Sequence, residues 1–144
     1  MLREAKIGDR DAILSLYLSL HEDQIPKEDE HLKRTWKQII NDENHHLIIC
    51  EIDGQIVSSC VCVIIPNLTR NVRPYAFIEN VVTHKDHRNK GYATECLKCA
   101  KELAQKENCY KMMLLTSSKD PATLHFYEAV GFNCNDKTAF VQWL

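Results

Sequence analysis

The chain has 144 residues, the size of one domain, with 44% hydrophobic residues and a formal net charge of −2. That balance argues against a general nucleic-acid binder, and no apolar stretch approaches the roughly 20 residues of a membrane span. The opening segment Met1-Leu2-Arg3-Glu4-Ala5-Lys6 has no apolar run behind its charges and does not read as a signal peptide, so a cytoplasmic protein with no membrane partner is expected. The seven cysteines are odd in number and mostly lie in apolar runs, where Cys behaves as a small hydrophobe, so a disulfide framework is not expected. Cys96-x-x-Cys99 lies mid-helix without a second pair at zinc-ribbon spacing, and no metal is expected.

In chain order, residues 1–6 read as a short strand. Asp9 can cap a helix whose apolar positions are Ile13, Leu16, Tyr17 and Leu20. A polar stretch from His21 to His31 follows, with Glu22, Asp23, Glu28, Asp29 and Glu30. It reads either as an acidic lip for a cationic amine or, more simply, as a solvated helix start. A second helix carries Leu32, Trp36, Ile39 and Ile40. Leu47–Ile52 and Gln55–Ile65 flank Asp53-Gly54, a two-residue hairpin signal. Pro66 ends the second strand, residues 67–74 form a loop, and Tyr75–Thr83 is the next strand. A loop and helix run from Arg88 to about Asn108, and Cys109–Thr116 returns to strand. Asp120 caps a short helix with Pro121 at its first position and Gly131 closing it. Phe132–Leu144 is expected to supply one or two final strands. The order predicts an α/β (α+β) fold in a single domain over residues 1–144. Its sheet is mixed but mostly antiparallel, of six to seven strands, with helices on both faces.

The most informative junction is Arg88-Asn89-Lys90-Gly91-Tyr92-Ala93, between the β-rich Phe77–Thr83 and a helix with Ala93, Cys96, Leu97, Ala100, Leu103 and Ala104 at helical spacing. A strand that turns through glycine into a helix presents unpaired N–H groups and the positive end of a helix dipole, an arrangement that binds phosphates. Arg88 and Lys90 add charge, and Gly91 lets an anion approach the backbone. An ordinary β-to-α turn with a solvated basic loop would show the same local pattern. The glycines, Gly8, Gly54, Gly91 and Gly131, form neither a Walker loop nor Gly-x-Gly-x-x-Gly.

The Arg-x-x-Gly-x-Ala pattern, after a strand carrying Glu79 and before an amphipathic helix, resembles the acyl-CoA pyrophosphate loop of the GNAT superfamily of N-acetyltransferases. His125-Phe126-Tyr127-Glu128-Ala129-Val130-Gly131-Phe132 is similar to that family's late Phe-Tyr-Glu-x-x-Gly-Phe helix. Both motifs stand in the family's order, and the resemblance spans essentially the whole chain. A weaker similarity links Ile78-Glu79-Asn80, Cys109-Tyr110-Lys111 and Phe126-Tyr127-Glu128 to glucosamine-6-phosphate N-acetyltransferases, where Arg70 and Arg73 would be cationic clamps for a sugar phosphate or, equally, solvated loop charges.

The resemblance implies the GNAT fold, in which the third and fourth long strands splay apart and the pantetheine arm fills the gap. It implies an acyl-CoA-dependent transferase that moves acetyl from acetyl-CoA to a primary amine of a small molecule, by direct attack in a ternary complex. Val81, Val82 and Thr83 would hold the cofactor, with backbone groups of Val81 and Thr83 pairing with the pantetheine amides. Arg88, Asn89, Lys90, Gly91, Tyr92, Ala93 and Thr94 would hold the phosphates. Tyr127 would protonate the departing thiolate, with a core aromatic as the plainer alternative. Glu79, a carboxylate in an otherwise apolar strand, would serve as base, directly or through water, or would simply bond a sheet neighbour. The family often has an Asn early in the late helix; this chain has Asp120 and Thr123 there, and no role is carried over. A protein or peptide acetyltransferase and an acyl-CoA-binding regulatory module are the alternatives, and a homodimer is left open.

Overall fold

Asp53 and Gly54 have φ of 50° and 80°. Two successive left-handed residues make the tight turn whose twist matches a right-handed hairpin. They join β2 (His45–Ile52) to β3 (Gln55–Ile65), which pair antiparallel. This computed structural model describes residues 1–20 and 22–144, so the His21 end of the acidic stretch lies outside the described residues. β1 (Leu2–Glu4) joins the outer edge of β2, and β4 (Tyr75–Thr83) adds antiparallel to β3. β5 (Met112–Leu114) closes the series parallel to β4, giving the order β1-β2-β3-β4-β5.

Helices cover both faces, as the sequence predicts. Side-chain alternation sends Ile48, Cys60, Cys62 and Ile78 to one face, where Cys96, Leu97 and Ala100 of α4 (Tyr92–Lys106) meet them. α5 (Pro121–Ala129) packs Phe126 and Tyr127 on the same side. The other face carries Ile49, Val61 and Val82 against Ile13 and Leu16 of α1 (Arg10–Tyr17) and Trp36 of α2 (Glu30–Asn41). The indole N–H of Trp36 donates to the Ile7 carbonyl at 2.8 Å. Among the described residues, no helix is long and apolar enough to cross a membrane.

Three expectations are corrected. The sheet has five strands among the described residues, not six or seven, and three of its four pairings are antiparallel. Phe132–Leu144 forms no strand: after a turn in which Asn133 Oδ1 accepts the N–H groups of Asn135 and Asp136, it meets no sheet edge of its own chain. Asp9 precedes α1 without capping it by a side-chain bond. Its carboxylate instead accepts from the Lys6 N–H at 2.6 Å and from Arg3 at 2.6 and 3.0 Å. Arg3 also reaches Glu51, which ties β1 to β2 and to the start of α1. The loop before β4 contains a left-handed turn, α3 (Thr69–Val72), with φ of 55–59° at Arg70, Asn71 and Val72.

Candidate active site

The site begins at a defect in β4. Val61 faces Glu79 and Ser59 faces Val82, so Cys60 alone spans Asn80 and Val81. This is a β-bulge, and Asn80 sits in it at φ 50°. Asn tolerates the left-handed region better than most residues do. The bulge lies just past Ile78, and Ile78↔Leu114 is the last β4–β5 pair. β4 runs on to Thr83 past its last pair with β5, and a cleft opens beside this free strand end. Strand alternation normally sends neighbouring side chains to opposite faces, but at the bulge Glu79 and Asn80 are both exposed. The cost of burying a carboxylate therefore gives no reason for Glu79 to be catalytic.

The cleft has a volume of about 670 Å³. Val81, Val82 and Thr83 line one side of it, and Arg88, Asn89, Gly91, Tyr92, Ala93 and Thr94 another. Tyr127 and Phe126 lie on the wall contributed by α5. Of the residues singled out in the sequence, Lys90 and Glu79 do not line it. Lys90 Nζ is turned back onto the Asp86 carbonyl at 3.0 Å. Phe126 lines the cleft as well as Tyr127, and their ring centroids are 5.0 Å apart.

Backbone geometry suits the floor and the loop to polar ligands. The His84 N–H donates to Val57 on β3. Strand alternation therefore turns the Thr83 backbone to the open side, where its carbonyl accepts Arg88 Nε at 3.3 Å. Ser58 Oγ bonds both the Val82 carbonyl and Thr83 Oγ1, fixing the strand end. Gly91 caps α4 at φ 84°, left-handed, and Asn89 is left-handed at φ 59°. The first bond of α4 runs from the Glu95 N–H to the Gly91 carbonyl. Among the described residues, the N–H groups of Tyr92, Ala93 and Thr94 have no backbone partner, and they open toward the cleft wall at the positive end of the helix dipole. A Cβ on Gly91 would meet nothing within 4 Å, so the space above the loop is open. Unpaired donors, an open approach and Arg88 together fit a phosphate-bearing ligand.

Tyr127 makes no side-chain hydrogen bond among the described residues. Burial is the main cause that pushes its phenol above the ordinary range, with a smaller contribution from Cys60. It therefore stays protonated at neutral pH and holds a proton to give. No cysteine lines the cleft. Burial raises the Cys62 and Cys96 thiols to about 12, so neither is an activated nucleophile.

Sequence reading missed Ser19 and Leu20 just beyond α1, and Asp120, all of which line the cleft; His87, near the phosphate end, lines it too. His87 Nδ1 is buried without a partner among the described residues. Asp120 caps α5 by accepting the Ala122 N–H at 3.2 Å. Only the fold, which brings the start of α5 to the cleft, places it here. The proposed clamps are engaged elsewhere: Arg73 donates to the Asn108 and Cys109 carbonyls at 3.0 Å each, and Arg70 lies 5.7 Å over the Tyr110 ring. In the acidic stretch, Glu28 pairs with Arg10, Asp29 caps α2 by accepting the Leu32 N–H, and Glu30 pairs with Lys33. The solvated helix start is the better description.

The Acetyltransferase (GNAT) family model matches residues 10–132. The chain belongs to this family. A putative acetyltransferase from Agrobacterium tumefaciens str. C58 is similar at 37% identity and TM-score 0.91, over 99% of both chains. A glucosamine-6-phosphate N-acetyltransferase from Arabidopsis thaliana has TM-score 0.85 at 22% identity, over 99% of this chain and 97% of its own, a likeness of fold alone. N-alpha-acetyltransferase 30 of Saccharomyces cerevisiae (strain ATCC 204508 / S288c) is 32% identical over 76 residues, 53% of this chain. The chain matches 42% of that relative's length.

Proposed function

We propose that this chain transfers acetyl from acetyl-CoA to a primary amine of a small molecule, by direct attack in a ternary complex. One observation carries the reading: a single cleft joins an open strand end at Thr83, the unpaired first-turn N–H groups of α4, and the protonated Tyr127 phenol. Arg88 and the N–H groups of Tyr92, Ala93 and Thr94 would hold the phosphates, with Asn89 and Gly91 shaping the loop. Val81 and Thr83 would hold the pantetheine amides through their backbones. Lys90 would act only at a distance, through its charge. Tyr127 would protonate the leaving thiolate. Glu79, exposed on the bulge, would take the amine proton through water or leave it to bulk solvent. The absence of cysteine from the cleft lining favours direct attack over an acyl-enzyme.

A second reading, acetylation of a peptide amine, is favoured by the 32% identity to an N-alpha-acetyltransferase. Thiol release from acetyl-CoA with a panel of small amines and a panel of short peptides separates the two. The small-molecule reading expects kcat/KM at least tenfold higher for some small amine. Turnover confined to peptides overturns it, and binding of acetyl-CoA with no turnover across both panels points to a regulatory acyl-CoA-binding module.

A further inference from the structure

Two phenols approach the β4 bulge from opposite faces of the sheet. Tyr127 packs on one face, and Cys60, which alone spans the bulge, is near enough to act on its phenol. Tyr17, the last residue of α1, packs on the other face against the cluster of Leu16, Val61 and Val82. The acetyl-transfer reading uses Tyr127 and leaves Tyr17 without a role.

The face beneath Tyr17 holds a buried polar atom. Ser59 alternates with Cys60 and pairs with Val82, so its side chain faces α1 as those of Val61 and Val82 do. It is fully buried, and its Oγ has no partner at bonding geometry among the described residues. A buried hydroxyl left so is costly and calls for an explanation. The Tyr17 hydroxyl lies within reach of Ser59 and of the Asn80 side chain. Burial pushes this phenol up to about 12, and Asn80 and Ser59 only partly offset the rise. The hydroxyl stays neutral, with one hydrogen bond to donate and lone pairs to accept others.

Asn80 is the residue that stands left-handed in the bulge, at φ 50°. A non-glycine residue persists in that region when its surroundings hold it there. Its conformation sets the direction of the next peptide. Past the bulge, the His84 N–H returns to Val57 on β3, so alternation turns the Val81 backbone, like that of Thr83, to the open side where both residues line the cleft. Rotation of Asn80 out of the left-handed region would swing the Val81 N–H away from it.

We propose that Tyr17 is a positioning residue of the acetyl-transfer site: its hydroxyl, shared between Ser59 Oγ and the Asn80 side chain, holds Asn80 left-handed and so aims the Val81 N–H into the cleft. The inference rests on the acetyl-transfer reading, in which the Val81 backbone meets the cofactor. Tyr17 does not itself line the cleft. It acts through Asn80 and not on the reacting atoms.

Tyr17→Phe keeps the ring in its packing and removes only the hydroxyl. Where chemistry limits the rate, kcat is expected to fall about tenfold, the effect of losing one hydrogen bond that holds the reacting geometry. Acetyl-CoA affinity and melting temperature should stay near wild type, because the phosphates are held elsewhere and the ring still packs. Asn80→Gly removes the side chain that Tyr17 would hold while leaving the left-handed region open. Its kcat should fall by a similar factor, and adding Tyr17→Phe to it should cost nothing further. Nuclear magnetic resonance of the ligand-free chain supplies a readout independent of turnover. In Tyr17→Phe, the backbone shifts and couplings of Asn80 should move away from left-handed values. Wild-type kcat in Tyr17→Phe overturns the proposal. So do losses that multiply in the double variant, or Asn80 signals that do not move. A wild-type chain that acetylates no amine would end the acetyl-transfer reading, and the Asn80 signals alone would then decide whether Tyr17 holds the bulge.

Discussion

Tyr127 has two demands on it that one substitution separates. Its ring packs 5.0 Å from Phe126 and 6.2 Å from Phe132, while its hydroxyl has no side-chain partner among the described residues. Tyr127→Phe keeps the packing and removes the acid. General-acid catalysis is typically worth about 10²–10⁴ in rate, so kcat should fall within that range while melting temperature and acetyl-CoA affinity stay near wild type. Wild-type turnover where chemistry limits the rate would remove Tyr127 from the mechanism. Gly91 carries a different constraint. At φ 84° it occupies a region that a β-branched residue adopts only under strain, although a Cβ there meets nothing within 4 Å. Gly91→Val should therefore pull the loop out of shape rather than clash with the protein. Titration calorimetry is expected to show acetyl-CoA affinity lowered at least tenfold, with melting lowered by only a few degrees. Unchanged affinity in a folded variant would move the phosphates away from this loop.

At the scale of elements, the latch at the start of the chain has a pH signature. The Arg3 guanidinium, bonded to Asp9 and Glu51, holds the Asp9 carboxyl below its ordinary value of 3.8. A carboxyl whose folded pKa is depressed contributes stability that is present above the unfolded value and lost as pH falls through the folded one. Asp9→Asn should lower urea stability near pH 7 by about 1 kcal/mol, and this difference should shrink below pH 4. A difference that persists at pH 3 would mean that shape rather than charge makes the contact. Much of this element order is legible in the residues. Asp53-Gly54 specifies its own turn, and Asp120 and Pro121 set the start of α5 through local bonds. The bulge in β4 is less legible. Asn in a strand interior hints at it, but only pairing with Cys60 shows that two residues face one. The expected final strands do not form because β-forming residues report what a segment would do on a sheet edge, and residues 137–144 find none in their own chain. The roles of Arg70 and Arg73 were illegible for a related reason. Their partners Tyr110, Asn108 and Cys109 lie over 30 residues away.

For the whole molecule, the cleft matters because it is built from both layers. Ser19 and Leu20 follow α1 on one face, Phe126 and Tyr127 belong to α5 on the other, and the end of β4 lies between them. A ligand spanning these parts binds only when both layers are docked on the sheet. Its binding free energy is then added to global unfolding, not to the opening of one loop. Acetyl-CoA at about 100 times its dissociation constant should stabilise the chain by roughly 2.7 kcal/mol, a rise in melting temperature on the order of 10 °C for a domain of this size. Raising salt should reduce the shift, because part of the affinity comes from Arg88 and the partial charges of the α4 N-terminus acting on phosphates. Calorimetry over a cofactor titration at two ionic strengths measures both effects. Hydrogen exchange should show slower opening in β3 and β4 as well as around residues 88–94. Protection confined to 88–94 would mean that the ligand sits on the loop alone, and no shift at millimolar acetyl-CoA would end the acyl-CoA reading.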